Sequence, residues 1–320
     1  MYHIVVPTLY CPFPHTLNPH VEAAQQHVNE WVQQFHLLPS QAAYARFQAA
    51  KFAWLAARAY PTAEFNKLRI VTDWNVWLFI HDDQCDESGI GKRPTQLAQL
   101  YDQFRGILFG GTPSQNDTSL THALHELWQR ICRHSNAEWR HRFLISVEDY
   151  FYACIWEAEN RMSRRIPDIA SYTQMRPFAG ALNTDIELIE LCEGVILPAA
   201  VYRHPIIKRL TLMCNNAVCW ANDILSLQKE LNNGDMHNLV IVLQHEQQCS
   251  WQEAVDRVAD MHNNEVLAFE QLSKQLPSFS PEIDTQIARY IDILRAWMRG
   301  NIDWALDTGR YANEQHIYAI

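Results

Sequence analysis

Residues 74–89 read "WNVWLFIHDDQCDESG", an apolar run that ends in four acidic side chains within six positions. Upstream, "EFNKLRIVTD" leads into it, and the segment 64–83 is apolar all round rather than on one stripe. A helix of that kind sits centrally and packs on several sides. Its acidic end is harder to accommodate, because crowded carboxylates repel and acids at a helix C-terminus oppose the macrodipole. Asp82 and Asp86, at i and i+4, share one helical face. Asp83 lies on the adjacent face and Glu87 one turn beyond it. Magnesium, a hard cation that prefers oxygen ligands and keeps several waters, suits one or two such carboxylates together with phosphate oxygens. The plainer alternative is a solvated, acidic helix end.

Outward from this segment, almost everything reads as helix. "PHVEAAQQHVNEWVQQF" places Val21, Ala24, Val28, Trp31 and Val32 at 3/4 spacing after an Asn-Pro start. "SQAAYARFQAAKFAWLAARAY" opens on Ser40 as N-cap and ends before Pro61. Ser135 or Asn136 caps a long helix that stops near Pro167, and an apolar helix from about Ile206 to Leu231 ends at "NNGD". "WQEAVDRVADMHNNEVLAFEQLSKQL" and "PEIDTQIARYIDILRAWMRGN" complete the set. The best strand candidates, "HIVV" and "NLVIVL", are short and isolated. No tandem period of the kind helical solenoids show is visible. The expected fold class is therefore all-α, a helical bundle.

Length and composition narrow the function. The 320 residues are 48% apolar and 19% charged, with ten glycines and no linker-like stretch, which predicts one domain over 1–320 with an N-terminal arm over 1–18. A net charge of -10 without a basic run argues against nucleic acid as partner. Eight scattered cysteines without a CxxC pair read as reduced, mostly buried residues. The N-terminus lacks the features of a signal peptide, and no apolar run approaches the roughly 20 residues a membrane span needs, so a cytoplasmic protein is expected.

A second polar cluster, "NDILSLQKE" (222–230), follows the apolar "LMCNNAVCWA". Asn222, Ser226 and Glu230, at i, i+4 and i+8, put an amide oxygen, a hydroxyl and a carboxylate on one helical face. All three are oxygen donors suited to one more hard cation, and Lys229 beside them could meet a phosphate. The plainer reading is an ordinary polar helix face.

Together the two clusters resemble the aspartate-rich motif and the Asn/Ser/Glu motif of class I terpene synthases of the single-domain microbial type. Their order and their separation of 140 residues match, as does the chain length. "LNNGDMHNLVIVL" is similar to the family's usual continuation, and the resemblance covers nearly the whole chain. It implies a class I terpenoid synthase-like bundle around a central active-site cavity. Asp82, Asp86, Asn222, Ser226 and Glu230 would then be ligands of three Mg2+ ions, with Mn2+ a substitute. The substrate would be an isoprenyl diphosphate, most simply the C15 farnesyl diphosphate, with C20 geranylgeranyl diphosphate the alternative. A second copy of the chain is left open as partner, and no membrane or nucleic-acid partner is implied.

The same resemblance assigns further residues. Arg176 in "SYTQMRPFAG", 46 residues before Asn222, matches the diphosphate-sensing arginine. Its planar fork suits phosphate oxygens. Gly180 matches the effector at a helix break and Ala179 the linker, where many family members carry a polar residue. Arg310-Tyr311 in "WALDTGRYANE" is similar to the Arg-Tyr pair that closes over the diphosphate, so Arg176, Lys229, Arg310 and Tyr311 form the implied diphosphate site. Phe79, Trp304, Phe52, Trp77 and Phe178 are the aromatic residues expected in or beside the cavity, where ring faces would stabilise carbocations. Acidic clusters on an acidic protein also make sense of an anionic substrate, since cations would bind first and the anion on them. The rivals are a chain-elongating trans-prenyl synthase, which would carry a second aspartate-rich motif at 222–230, and an all-α scaffold without activity.

Overall fold

Helix α4 (Phe65–Ser88) carries the opening stretch, and it is surrounded as its composition requires. It packs against α1 (Val21–Gln34), α3 (Phe52–Ala59), α6 (Ser119–Arg133) and α9 (Leu182–Glu193). A computed structural model describes residues 4–311 and 317–318, the side chains of 86–88 and 317–318 excepted. Asp86, named above as a metal ligand, and Glu87 therefore lie outside the described side chains. The remaining helices are α2 (Gln41–Ala50), α5 (Pro94–Leu108), α7 (Ala137–Ser163), α8 (Ile169–Ala179), α10 (Ala199–Tyr202), α11 (Pro205–Leu225), α12 (Leu227–Asn233), α13 (Leu239–Gln247), α14 (Trp251–Ser273) and α15 (Pro281–Asp307). The fold is all-α. Its sole sheet among the described residues is a two-residue parallel pair, β1 (Val5–Val6) with β2 (Ile317–Tyr318).

Local chemistry sets the boundaries. Ser40 Oγ accepts from Ala43 N–H (3.1 Å), and Asn136 rather than Ser135 caps α7 by accepting from Trp139 N–H (2.8 Å). Three expected segments come out differently. The helix from Ser40 to Tyr60 is two helices, because Lys51 takes a left-handed conformation (φ 51°). The helix from Ile206 to Leu231 bends at Ser226 into α11 and α12. "NLVIVL" is not a strand but the start of α13. Asn238 caps it (2.8 Å to Val240 N–H), and Leu239 to Leu243 are buried on every side, which erases the amphipathic stripe that marks a helix in sequence. "HIVV" contributes only Val5 and Val6 to a strand.

Residues 4–18 run along the bundle. Gln252 brackets Val5 with two hydrogen bonds of 2.9 Å, Asn263 accepts from Tyr10 N–H (2.7 Å), and Asn18 donates to the carbonyls of Tyr60 and Ala63. α11 lies at the centre of the other half, packed by α8, α13, α14 and α15. The C-terminal ends of α4 and α11 thus face each other, and the cleft between them is where the two polar clusters emerge.

Candidate active site

Positions 75, 78, 79 and 82 of α4 line the cleft, a stripe at i, i+3, i+4 and i+7 that is one helical face. Opposite stand Val218, Cys219 and Asn222 of α11 with Lys229 and Glu230 of α12. α7 supplies Tyr150, Glu157 and Arg161, and α15 supplies Trp297 and Asn301. The α8–α9 break, with Arg176 and residues 179–182, closes one wall. The cleft holds about 170 Å³. A larger groove of about 950 Å³ opens beyond it but shares only Asp83, Lys229 and Arg310 among the polar residues of the site. The smaller cleft, which gathers residues of both clusters, is therefore the candidate site.

Two basic side chains supply the counter-charge of Asp82 and Asp83. Arg310 donates to both oxygens of Asp83 (2.9 and 2.7 Å), stands 3.6 Å from Asp82, and lies over the rings of Phe79 and Phe52. Lys229 lies 3.9 Å from Asp83. Burial pushes Asp83 up, but the Arg310 guanidinium outweighs it and holds the carboxyl below its usual range. Asp82 faces the cleft with its side chain half exposed to it, yet confinement among protein atoms pushes its carboxyl up, with Lys229 opposing. Asp82 is thus the less compensated of the two, as an oxygen ligand awaiting a cation would be.

Across the cleft, Asn222 Oδ1 accepts from Arg176 (3.1 Å) and its Nδ2 donates to Tyr311 Oη (3.1 Å). Ser226 Oγ lies 2.7 Å from the Asn222 carbonyl and 2.6 Å from Glu230 Oε1, while Asn238 donates to Glu230 Oε2 (2.6 Å). The bend at Ser226 keeps the i, i+4, i+8 relation, since Ser226 N–H still bonds Asn222 O and Glu230 N–H bonds Ser226 O. Burial, with Asp223 and Asp235 nearby, pushes Glu230 up to about 8. An all-oxygen donor set around an under-neutralised acid fits a hard divalent cation. Among the described residues no group of three His, Cys, Asp or Glu side chains is assembled for a metal.

Arg176 is held by Asp223, a fully buried carboxylate absent from the expected set (Nε 3.0 Å, Nη2 2.6 Å to Oδ1). Asp223 Oδ2 also accepts from Tyr172 Oη (2.9 Å) and Leu239 N–H (3.0 Å), so one acid ties α8, α11 and α13 together. Its signal in the sequence is a lone acid inside the apolar run of α11. Glu157, Arg161, Asp235 and His237 were also missed. Arg161 donates to Asp235 (3.2 Å) and Glu157 (3.4 Å) from the cleft wall.

The helix break falls where expected, but for another reason. The left-handed residue is Ala181 (φ 57°), whereas Gly180 has an ordinary helical φ of -70°. A Cβ on Gly180 would lie 2.5 Å from Cys219 Sγ and 3.3 Å from Arg176 Nη1, so glycine is needed there for close approach. Asn215 fixes the break by donating to Pro177 O (2.9 Å) and Asn183 Oδ1 (2.8 Å).

Of the expected cavity aromatics, Phe79 alone lines the cleft. Phe52 stacks on it (4.5 Å between centroids) and Trp304 packs behind both, its Nε1 donating to Ala50 O. Trp77 does not reach the cleft. Two residues from Phe79 it projects to the other side of α4, donates to Leu120 O and stacks on Trp74 and His81. Phe178 is half-buried and outside the lining. Trp297 and Tyr150 occupy the wall instead.

A family model described as terpene synthase family 2, C-terminal metal binding, matches residues 73–267, a span that begins within α4 just before its lining stripe and ends within α14. The chain is 37% identical over 317 residues to germacrene A synthase of Nostoc punctiforme, covering 99% of this chain and 98% of that protein. It is 40% identical over 304 residues to the (+)-T-muurolol synthase of Roseiflexus castenholzii, whose name specifies cyclisation of (2E,6E)-farnesyl diphosphate, with 95% and 93% covered. The crystal structure of an α-eudesmol synthase superposes with a TM-score of 0.85 at 24% identity, covering 94% of this chain and 99% of that one, which shows a common fold.

Proposed function

The chain belongs to the terpene synthase family as a class I terpene cyclase, and from that premise we propose that it ionises farnesyl diphosphate and closes the resulting cation to a sesquiterpene. The observation that carries this reading is the convergence of Asp82, Asn222, Glu230, Arg176 and Lys229 on one cleft, with Ser226 bonded to Glu230 behind it and Arg310 paired with Asp83 at the mouth. The proposed cofactor is magnesium, three ions in all, with manganese a substitute. Asp82, together with Asp86, would hold one part of the set and Asn222, Ser226 and Glu230 another. When bound, the cations neutralise charge on the departing diphosphate.

The chain's own residues do the rest. Arg176, Lys229 and Arg310 present donors to the diphosphate oxygens, which favours the anion as it separates. Arg310 must exchange Asp83 for the substrate, so the ion pair at the mouth is the latch that binding releases. Asp223 holds the Arg176 fork aimed beside Asn222. Phe79, Trp297 and the aliphatic wall of Leu55, Leu78, Leu182 and Val218 exclude water from the cation and offer ring faces to it. The whole chain acts as one domain on a small molecule in the cytoplasm. No described helix is long and apolar enough to cross a membrane.

The direct test incubates purified protein with magnesium and geranyl, farnesyl or geranylgeranyl diphosphate separately, followed by gas chromatography and mass spectrometry of the extract. Cyclic C15 product from farnesyl diphosphate is the expected result. Turnover of the C20 substrate alone would move the assignment to a diterpene synthase, and turnover of none would overturn it.

A further inference from the structure

Both arginines proposed for the diphosphate are aimed by an aspartate of a neighbouring element, Arg176 by Asp223 (2.6 Å) and Arg310 by Asp83 (2.7 Å). A third pair of this kind stands on the α7 wall of the cleft. Arg161 donates through Nη2 to Asp235 Oδ2 (3.2 Å) and through Nε to Asp235 Oδ1 (3.4 Å). Its side chain is 13% exposed, as is that of Arg176, against 10% for Arg310. Other arginine–carboxylate pairs, such as Arg130 with Asp73 and Arg142 with Glu187, brace helices away from the cleft. Arg161, Asp235 and the nearby Glu157 all line it. Asp235 is held in place by its own turn. Gly234 (φ 70°) ends α12, and just beyond it Asp235 Oδ1 accepts from the N–H groups of Met236 (2.7 Å) and His237 (3.2 Å). The Asp235 N–H donates to the carbonyl of Glu230 (2.9 Å), one of the proposed metal ligands. Burial pushes the Asp235 carboxyl up, but His237 and Arg161 outweigh it and hold it below its usual range. The turn therefore presents a constant anion to Arg161 at a set place.

We propose that Arg161 is a further diphosphate contact, donating N–H groups to the anion from the α7 wall while Asp235 holds its fork in place. This contact presupposes the cyclase reading above. The charges in the cleft support it. Burial pushes the Asp82 carboxyl up, and Lys229, Arg310 and Arg161 oppose that rise. Arg161 thus acts on the same point as two cations already proposed for the anion. Its Nη2 also reaches Glu157 Oε2 at 3.4 Å, beyond the usual N–H···O range of about 2.7–3.2 Å. That long bond is the one the diphosphate displaces, much as it displaces Asp83 from Arg310, while the side-on grip of Asp235 stays. A phosphate oxygen at normal hydrogen-bond distance gives a short, charge-assisted bond in exchange for the long one. Lysine could not do the same, because a single ammonium cannot hold Asp235 side-on and reach a phosphate as well. With Arg161 included, cations meet the departing anion from α7, α8, α12 and the segment after α15, and positive charge fixed on several sides favours it as it separates.

The test titrates inorganic diphosphate into the purified protein at saturating magnesium by calorimetry, for wild type, Arg161→Gln and Arg161→Lys. The melting temperature of each is measured with and without magnesium and diphosphate. Loss of one charge-assisted contact should weaken diphosphate binding about tenfold in Arg161→Gln. The rise in melting temperature that magnesium and diphosphate give the wild type should shrink to match. Arg161→Lys, which keeps a cation beside Asp235 and guards against a misfolded first variant, should also bind more weakly than wild type. Unchanged affinity in either variant would overturn the contact while leaving the cyclase assignment intact. So would a lower melting temperature without ligand combined with an undiminished rise on adding it, since Arg161 would then only brace α7 against the turn after α12. A wild type that binds no diphosphate in the presence of magnesium would overturn both.

Discussion

At the scale of single residues, the site depends on a few atoms whose replacements separate metal binding from packing. Removing the proposed oxygen ligand in Asp82→Ala or Asn222→Ala should lower diphosphate release at least about a hundredfold, the loss typical of removing one charge-stabilising group. The melting temperature should change little, since Asp82 faces the open cleft. Retained turnover in either variant would remove that residue from the metal set. Gly180 makes a sharper case. Gly180→Ala pushes a methyl into Cys219 Sγ and toward Arg176, so release should fall by about tenfold or more. Adding Cys219→Ala removes the nearest obstacle and should recover part of that loss. Additive losses in the double variant would show that the contact is not the cause.

At the scale of helices, Asp223 couples three of them, and its side chain is entirely inside. Asp223→Ala leaves Arg176 buried without its partner, which costs about 3–5 kcal/mol. Urea denaturation should report that loss, and a change under about 1 kcal/mol would mean that Arg176 finds another partner. The helices also show where patterns fail as guides. α13 was read as a strand candidate because complete burial removes the contrast between faces. On α15 the sequence pointed to Trp304, near the Arg-Tyr pair, yet Trp297, two turns earlier, is the ring in the cleft. Both lie on the same side of the helix, and how deep that side enters the cavity depends on how α15 docks on α3 and α11.

For the whole molecule, the network of Arg142, Glu187, Glu190 and Tyr202 sets a pH dependence of stability away from the active site. Arg142 donates to Glu190 at 2.6 Å and to Glu187 at 3.3 Å. Burial pushes Glu190 up to about 7, with Glu187 adding and Arg142 opposing, from an ordinary value of 4.5. The folded chain thus holds a proton between those values that the unfolded chain releases, so this group's contribution falls as pH rises from 4.5 to 7 and is level above. The fall amounts to at most about 3 kcal/mol. Melting curves of wild type and Glu190→Gln across that range should diverge in favour of the variant toward pH 7, and parallel curves would rule the assignment out. The sequence by itself determined the all-α class and the two polar clusters, because helical periodicity and motif spacing are local properties, and a family resemblance added the arginines proposed for the diphosphate. Tertiary packing alone decided which aromatic rings form the wall, why residue 180 must be glycine, and that Asp223 aims Arg176. It also set the charge balance of Asp82 and Asp83, where Arg310 neutralises Asp83 and leaves Asp82 less compensated. Those outcomes depend on which faces of distant helices meet, and spacing along the chain carries no record of that.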